Sequence, residues 1–144
     1  MDSDAPDHPT FENRQDIRDR AFQFACRVVR FCQALYDRGG VGRMMVPQLL
    51  NCSTAVPSML EEARAAESRR DFISKCCIGL KEAREAHVRL RVCETCRIGP
   101  TDDARKLGTE SNEIVAILGT IVRNTRRNAG ITTAGRPRAR IPNS

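Results

Sequence analysis

The chain has 144 residues and a net charge of +6, and 40% of its residues are hydrophobic. This length and composition predict one folded domain and exclude a disordered chain. No run approaches the roughly 18 apolar residues that suggest a membrane span, so we expect no membrane association. The polar, acidic start has no secretory signal, and an odd total of seven cysteines fits reduced thiols in the cytoplasm.

The first predicted element is a helix over residues 13–37, preceded by a disordered arm over residues 1–12. An apolar stripe at spacings of three and four residues forms its predicted core face: Ile17, Ala21, Phe24, Val28, Phe31 and Leu35. A second apolar stripe lies beside the first, and together they cover more of the helix than one core contact needs. We therefore interpret the second stripe as a subunit interface, formed by Phe22, Ala25, Val29, Cys32 and Tyr36.

A glycine-rich run over residues 39–42 ends this helix and predicts a C-cap followed by a flexible link. The second helix is expected over residues 46–66, with Pro47 in its first turn, where a missing N–H costs nothing. Pro57 falls inside this helix and should bend it, at a cost of about 3 kcal/mol unless nearby groups relieve it. Two hydroxyl residues one turn earlier are candidates for that role, Ser53 and Thr54.

The third helix is expected over residues 69–97, because Ser68 and Asp71 resemble a capping box at its start. Its core stripe is Phe72, Cys76, Leu80, Ala83, His87 and Leu90. The fourth helix is expected from residue 101 until Gly130 closes it. Its core stripe is Ala104, Leu107, Ser111, Ile114, Ile117 or Leu118, Ile121 and Thr125.

Short links between four helices predict an all-α, up-down-up-down antiparallel four-helix bundle over residues 13–130. A disordered, Arg-rich tail is expected to follow over residues 131–144. No alternation of period two persists beyond a few residues, so we expect no strand.

A set of short sequence motifs, in a fixed order along the chain, connects it to a known family. The words are Pro47-Gln48-Leu49-Leu50, Glu62-Ala63, Ser68, Asp71-Phe72-Ile73, Lys75, Ile78 and Leu80-Lys81-Glu82-Ala83-Arg84-Glu85. They resemble the four-helix bundle proteins of ribosomal RNA intervening sequences, a family similar in fold to the accessory variability protein of diversity-generating retroelements. The resemblance implies a homopentamer with a basic surface. It also implies, from the retroelement relatives, binding to a reverse transcriptase and to nucleic acid.

No constellation in the sequence predicts chemistry, so we expect no enzyme, no metal and no cofactor. Cys93 and Cys96 form one C-x-x-C pair, but structural zinc usually needs a second such pair. A thioredoxin-like site would need a strand before its helix, which this region lacks. His87 lies on a core stripe, where a hydrogen-bonded core or interface histidine is the better interpretation than a catalytic base.

Basic side chains give the remaining functional signal. Four lie on one flank of the third helix by the 100° rule: Arg70, Lys81, Arg84 and Arg91. The tail adds Arg136, Arg138 and Arg140. Such a surface predicts non-specific RNA or DNA binding through phosphates, and the small number of aromatic residues argues against base stacking.

The predicted function is therefore a non-enzymatic, oligomeric scaffold that binds nucleic acid, a reverse-transcriptase-like partner, or both. Only three of the 24 basic residues are lysines, and a genome rich in G and C also favours arginine. A purely protein-binding or structural bundle without a nucleic-acid role thus remains the alternative.

Overall fold

A computed structural model describes residues 17–130 and contains four helices in this part of the chain. They are α1 (Ile17–Arg38), α2 (Gly40–Arg64), α3 (Arg69–Thr95) and α4 (Thr101–Asn128). Residues 17–130 contain no strand, and the predicted all-α four-helix bundle is confirmed. The expected arm, the first turn of the first predicted helix and the tail lie outside the described residues.

The helices form a ring in which each contacts its two neighbours. α1 packs on α2 and α4, and α3 packs on the same two helices from the opposite side. The links are residue 39, residues 65–68 and residues 96–100, so consecutive helices are antiparallel. No helix in residues 17–130 combines the length and the apolar character that a membrane crossing requires.

The predicted core stripes point inward. Every residue of the first stripe of α1 is buried, and so are five of the six in the α3 stripe, with His87 half-buried. In α4 the fully buried position is Leu118, while Ile117 packs partly buried at the edge of the core. Periodicity therefore located the core of three helices correctly.

The start of α2 corrects the sequence prediction. α2 begins at Gly40, so Pro47 lies two turns inside the helix instead of in its first turn. Gly39 and Gly40 make the turn, with φ of 76° and 66°. Gly42 belongs to the helix and is buried, because a Cβ there would lie 3.3 Å from Ile98 and 3.5 Å from Leu35. The glycine run thus provides close helix packing where we expected a flexible link.

The relief expected at Pro57 is also absent. The Thr54 hydroxyl donates to the Leu50 carbonyl at 2.6 Å, one turn before the carbonyl that Pro57 leaves without a donor. The Ser53 hydroxyl is buried and has no hydrogen-bond partner among the described residues. Pro57 itself lies beside a surface groove between α1 and α2, at the edge of the core.

The two ends of α3 follow local rules. At its start the Asp71 N–H donates to the Ser68 side chain at 3.0 Å, which confirms the predicted cap. At its end the helix stops at Thr95, two residues earlier than expected. Arg97 adopts φ of 56°, and the Ile98 N–H donates to the Cys93 carbonyl at 2.9 Å, so a Schellman-type turn terminates the helix.

Candidate functional site

The outward side of α3 carries the four basic residues predicted from the sequence. Arg70, Lys81, Arg84 and Arg91 are all exposed. Because consecutive residues lie about 100° apart around a helix, these four fall within one sector of about 80° on a flank of α3. Arg136, Arg138 and Arg140 lie outside the described residues.

Nearby carboxylates are engaged elsewhere. Glu85 lies one turn from Lys81, yet its carboxylate accepts from Arg89 at 2.9 Å. Asp71 lies 3.8 Å from the Lys75 ammonium on the other flank of α3. Among residues 17–130, no carboxylate forms an ion pair with any of the four predicted cations. Their charges are therefore available to an incoming anion.

A fifth cation joins this surface from α4. The Arg126 guanidinium donates to the Cys77 sulfur at 3.4 Å. Cys77 lies one turn before Lys81 and two turns before Arg84, on the same side of α3. Sequence reasoning missed Arg126, because its neighbour lies 49 residues away along the chain. We call Arg70, Lys81, Arg84, Arg91 and Arg126 the basic face.

Aliphatic side chains lie among these cations. Val88 is 57% exposed and sits one turn after Arg84 on the same side of the helix. Val92 is exposed one turn after Val88, and Ile78 is exposed nearly three turns before it on α3. The surface is thus both cationic and apolar, a combination that the charge pattern alone did not reveal.

The predicted subunit interface divides into two sets. Ala25 and Cys32 are buried by the chain's own helices. Phe22, Val29 and Tyr36 remain 55%, 38% and 54% exposed. All five residues lie on the same apolar stripe in the sequence. Only the packing of α1 against α2 and α4 shows which of them are buried and which are exposed. We call the exposed three the α1 patch.

A groove of about 630 Å³ runs along the α1 patch between α1 and α2. Phe22, Ala25 and Val29 line one wall, and Thr54 and Pro57 line the other. Tyr36 lies further along α1, under the Arg43 guanidinium at 4.3 Å from the ring centre. The α1 patch therefore combines a concave apolar stretch with an aromatic ring at its end.

His87 has a structural environment. Its Nδ1 lies 3.0 Å from the Gly108 carbonyl and 3.1 Å from the Ser111 hydroxyl. Ser111 donates its own proton to the Gly108 carbonyl at 2.8 Å, so Nδ1 must carry a proton to complete the contact. This confirms the predicted hydrogen-bonded histidine and shows that it joins α3 to α4.

The thiols are distributed through the bundle. Burial raises the pKa of Cys32 and Cys76 to about 12 and that of Cys93 to about 11, because a thiolate would lose its hydration. The C-x-x-C pair is divided, with Cys93 buried and Cys96 exposed at the end of α3. Within residues 17–130, no three His, Cys, Asp or Glu side chains are grouped so that they could hold a metal ion.

Comparison with known proteins identifies the family. The family model described as 23S rRNA-intervening sequence protein matches residues 13–120. The chain belongs to this family. The family recognised from sequence words is thereby confirmed, and the fold similarity to the retroelement accessory protein stays a prediction. No curated protein matches the chain.

A solved structure supports membership in the 23S rRNA-intervening sequence protein family. It comes from Bacteroides thetaiotaomicron VPI-5482 and is described as a protein with unknown function from the S23 ribosomal protein family. It is 29% identical to this chain, with a TM-score of 0.68. The match covers 74% of this chain and 98% of that one, so the shared part is essentially the whole bundle.

Proposed function

We propose that this protein is a non-enzymatic scaffold that assembles into an oligomer and binds RNA or DNA through the phosphates. The observation that carries the proposal is the basic face: five cations on α3 and α4 with no carboxylate paired to them in the described part of the chain. Guanidinium groups suit phosphate oxygens because their donors form a planar fork. Neutralised phosphates release counterions, so such binding is independent of sequence and falls with salt.

Assembly would multiply this charge. The α1 patch exposes two aromatic rings and a valine on one side of one helix, which is unusual for a surface that faces only water. Pairing these patches between copies would bury them and would bring several basic faces into one particle. The resemblance to the intervening-sequence family suggests five copies.

Nucleic-acid binding is tested by anisotropy of labelled duplex DNA and hairpin RNA of scrambled sequence, titrated between 50 and about 200 mM salt. We expect every sequence to bind alike and affinity to fall linearly with the logarithm of salt. The double variant Arg84→Glu, Arg91→Glu should weaken binding to all sequences and lower the salt slope for duplex DNA by about 2, since each phosphate contact contributes about 0.9.

The matched control is Arg105→Glu, Lys106→Glu. It changes the net charge equally, but both side chains lie on α4 and pair with Asp102. Equal losses in both double variants would show that net charge alone matters, and no binding at 50 mM salt would refute the nucleic-acid function.

Assembly is tested by light scattering coupled to size-exclusion chromatography. One chain has a mass of 16.1 kDa, and we expect a mass near five times this value. Phe22→Glu should produce monomers that keep their helical circular dichroism. Gln23→Glu, one residue along the same helix, introduces the same charge outside the α1 patch and should leave the assembly intact. A monomeric wild-type protein at micromolar concentration would contradict this part.

The exposed aliphatic side chains of α3 favour a second candidate function, in which the outward side of α3 binds an acidic protein surface. A phosphate backbone gives Ile78, Val88 and Val92 nothing to bury, whereas a protein partner does. Val88→Ser separates the two candidates, because it should leave phosphate binding unchanged and weaken a protein complex. The resemblance suggests a reverse transcriptase as the first partner to test.

A further inference from the structure

The outward side of α3 has the features of a covered surface. Five cations without a carboxylate partner lie along this side of the helix, and Arg84 and Arg91 are each about one turn from Val88. Ile78 and Val92 are two further exposed aliphatic side chains on α3. An occupant that matches this surface must bring several carboxylates together with apolar groups. It must also be extended enough to follow the helix from Arg70 towards Arg91.

Residues 1–16 of this chain have that composition. They contain five carboxylates, at Asp2, Asp4, Asp7, Glu12 and Asp16, and one basic side chain, at Arg14. They also contain Phe11 and two prolines, which favour an extended backbone. Residues 131–144 have three arginines and no carboxylate, so the same surface would repel them.

The segment can reach the surface from the place where α1 begins. Arg18 lies 3.9 Å from Glu61 in the last turn of α2, so the start of α1 lies at the end of the bundle where α3 begins. α1 and α3 are diagonal in the ring, which separates their axes by about 13 Å when neighbours are 8–10 Å apart. Adding the radius of the helices gives a path of about 25 Å to the outward side of α3.

Sixteen extended residues span up to about 50 Å, so the path leaves about half of the segment to lie along α3. The first residues of the segment carry three of the five carboxylates. These are the residues that would then lie against Lys81 and Arg84.

We infer that residues 1–16 bind across the basic face of their own chain and compete there with polyanions. The segment then regulates the surface to which we assign phosphate binding, and in that respect the inference rests on the proposed function. Carboxylates in the first residues of the segment pair with the cations that they reach, Lys81 and Arg84. A nucleic acid must displace the segment before it contacts the cations.

Docking is tested without nucleic acid by zero-length carbodiimide coupling of the untagged protein. The reagent activates a carboxylate, and a nearby lysine amine then forms an amide with it. The chain has only three lysines, and Lys81 is the one on the basic face. Lys75 lies between Glu62 and Asp71, and Lys106 pairs with Asp102, so each of these already has a carboxylate neighbour.

After trypsin digestion, mass spectrometry should find residues 1–14 joined to the peptide 76–84 through Lys81. Lys81→Arg keeps the charge, removes the amine and should abolish this product. Finding no such product, or finding the segment joined to Lys75 and Lys106 as often as to Lys81, would overturn the inference. In assemblies of isotopically heavy and light chains, products that join heavy to light peptides in statistical proportion would overturn docking within one chain.

Competition is tested by neutralising the segment with Asp2→Asn, Asp4→Asn, Asp7→Asn and Glu12→Gln. The affinity for duplex DNA at 50 mM salt should rise by about tenfold or more, and the salt slope should steepen, because the uncovered cations neutralise more phosphates and so release more counterions from the DNA. In the Arg84→Glu, Arg91→Glu background the same neutralisation should give much less gain. An unchanged affinity in the wild-type background would overturn the competition.

The two experiments separate the inference from the proposed function. If neither the wild-type protein nor the neutralised variant binds nucleic acid, phosphate binding fails while the coupling to Lys81 still decides whether the segment docks. If nucleic acid binds but Lys81 is never coupled, the inference alone fails.

Discussion

Replacing Gly99 by alanine tests two separable costs in the link between α3 and α4. Gly99 has φ of 76°, a left-handed conformation that costs about 1–2 kcal/mol for an L-residue with a Cβ. The added Cβ would also overlap the Leu35 Cδ2, and it would lie 3.5 Å from both Leu35 Cγ and Phe31 Cε1. Leu35 is buried and cannot move away freely, so overpacking adds about 1–3 kcal/mol. The expected loss is therefore about 2–5 kcal/mol.

Two other glycines serve as matched controls. Gly130 has φ of 77° with nothing within 4 Å of an added Cβ, so Gly130→Ala measures the backbone cost alone. Gly108 lies inside α4, also with open space, so Gly108→Ala should stabilise the protein by up to about 1 kcal/mol. Urea unfolding followed by circular dichroism, at one protein concentration for all variants, gives the free energies. If Gly99→Ala costs no more than Gly130→Ala, the packing argument at Leu35 is wrong.

Three further predictions concern stability. Arg20 donates two hydrogen bonds to the Glu110 carboxylate, at 2.7 and 2.9 Å, and also contacts Glu113. Arg20→Met should therefore lower the free energy of unfolding by about 1–2 kcal/mol, and adding Glu110→Gln should recover part of this loss. A change below about 0.3 kcal/mol would contradict this. Ser68→Ala removes the N-cap of α3 and should cost about 1 kcal/mol in the same assay, whereas Ser68→Asp should restore most of it. The pKa of Cys76 is about 12 in the folded chain and about 8.5 when unfolded, so between these values only the unfolded state loses its proton and stability falls as pH rises. Cys76→Ala should flatten the slope of unfolding free energy measured between pH 8 and 10, and an equal slope in both proteins would refute the assignment.

Local patterns predicted most of the fold because helix formation here depends on near neighbours. The stripes of α1 and α3 repeat at helical spacing, and Ser68 and Asp71 lie three residues apart. Both features can therefore be recognised from a short stretch of sequence. The start of α2 could not be recognised from nearby sequence, because Gly42 is held in the helix by contacts with Ile98, which lies more than 50 residues away along the chain.

The candidate surfaces were predictable only in part for the same reason. A stripe shows which residues share a side of a helix, and that was sufficient for the cations of α3. A stripe does not show which other helix packs against each residue. Ala25 and Cys32 were therefore grouped with Phe22, although other helices bury them. Arg126 joins the basic face only through a contact between α3 and α4.

The single-residue link at Gly39 has a consequence for how the length of such a chain can vary during evolution. One inserted residue would rotate α2 by about 100° and advance it by about 1.5 Å relative to α1. Leu49, Val56 and Leu60, which are fully buried, would then turn away from the core together. An insertion or deletion at this junction would therefore disrupt a whole helix face at once. Variation in length should be confined to the other two links and to the segments outside the bundle.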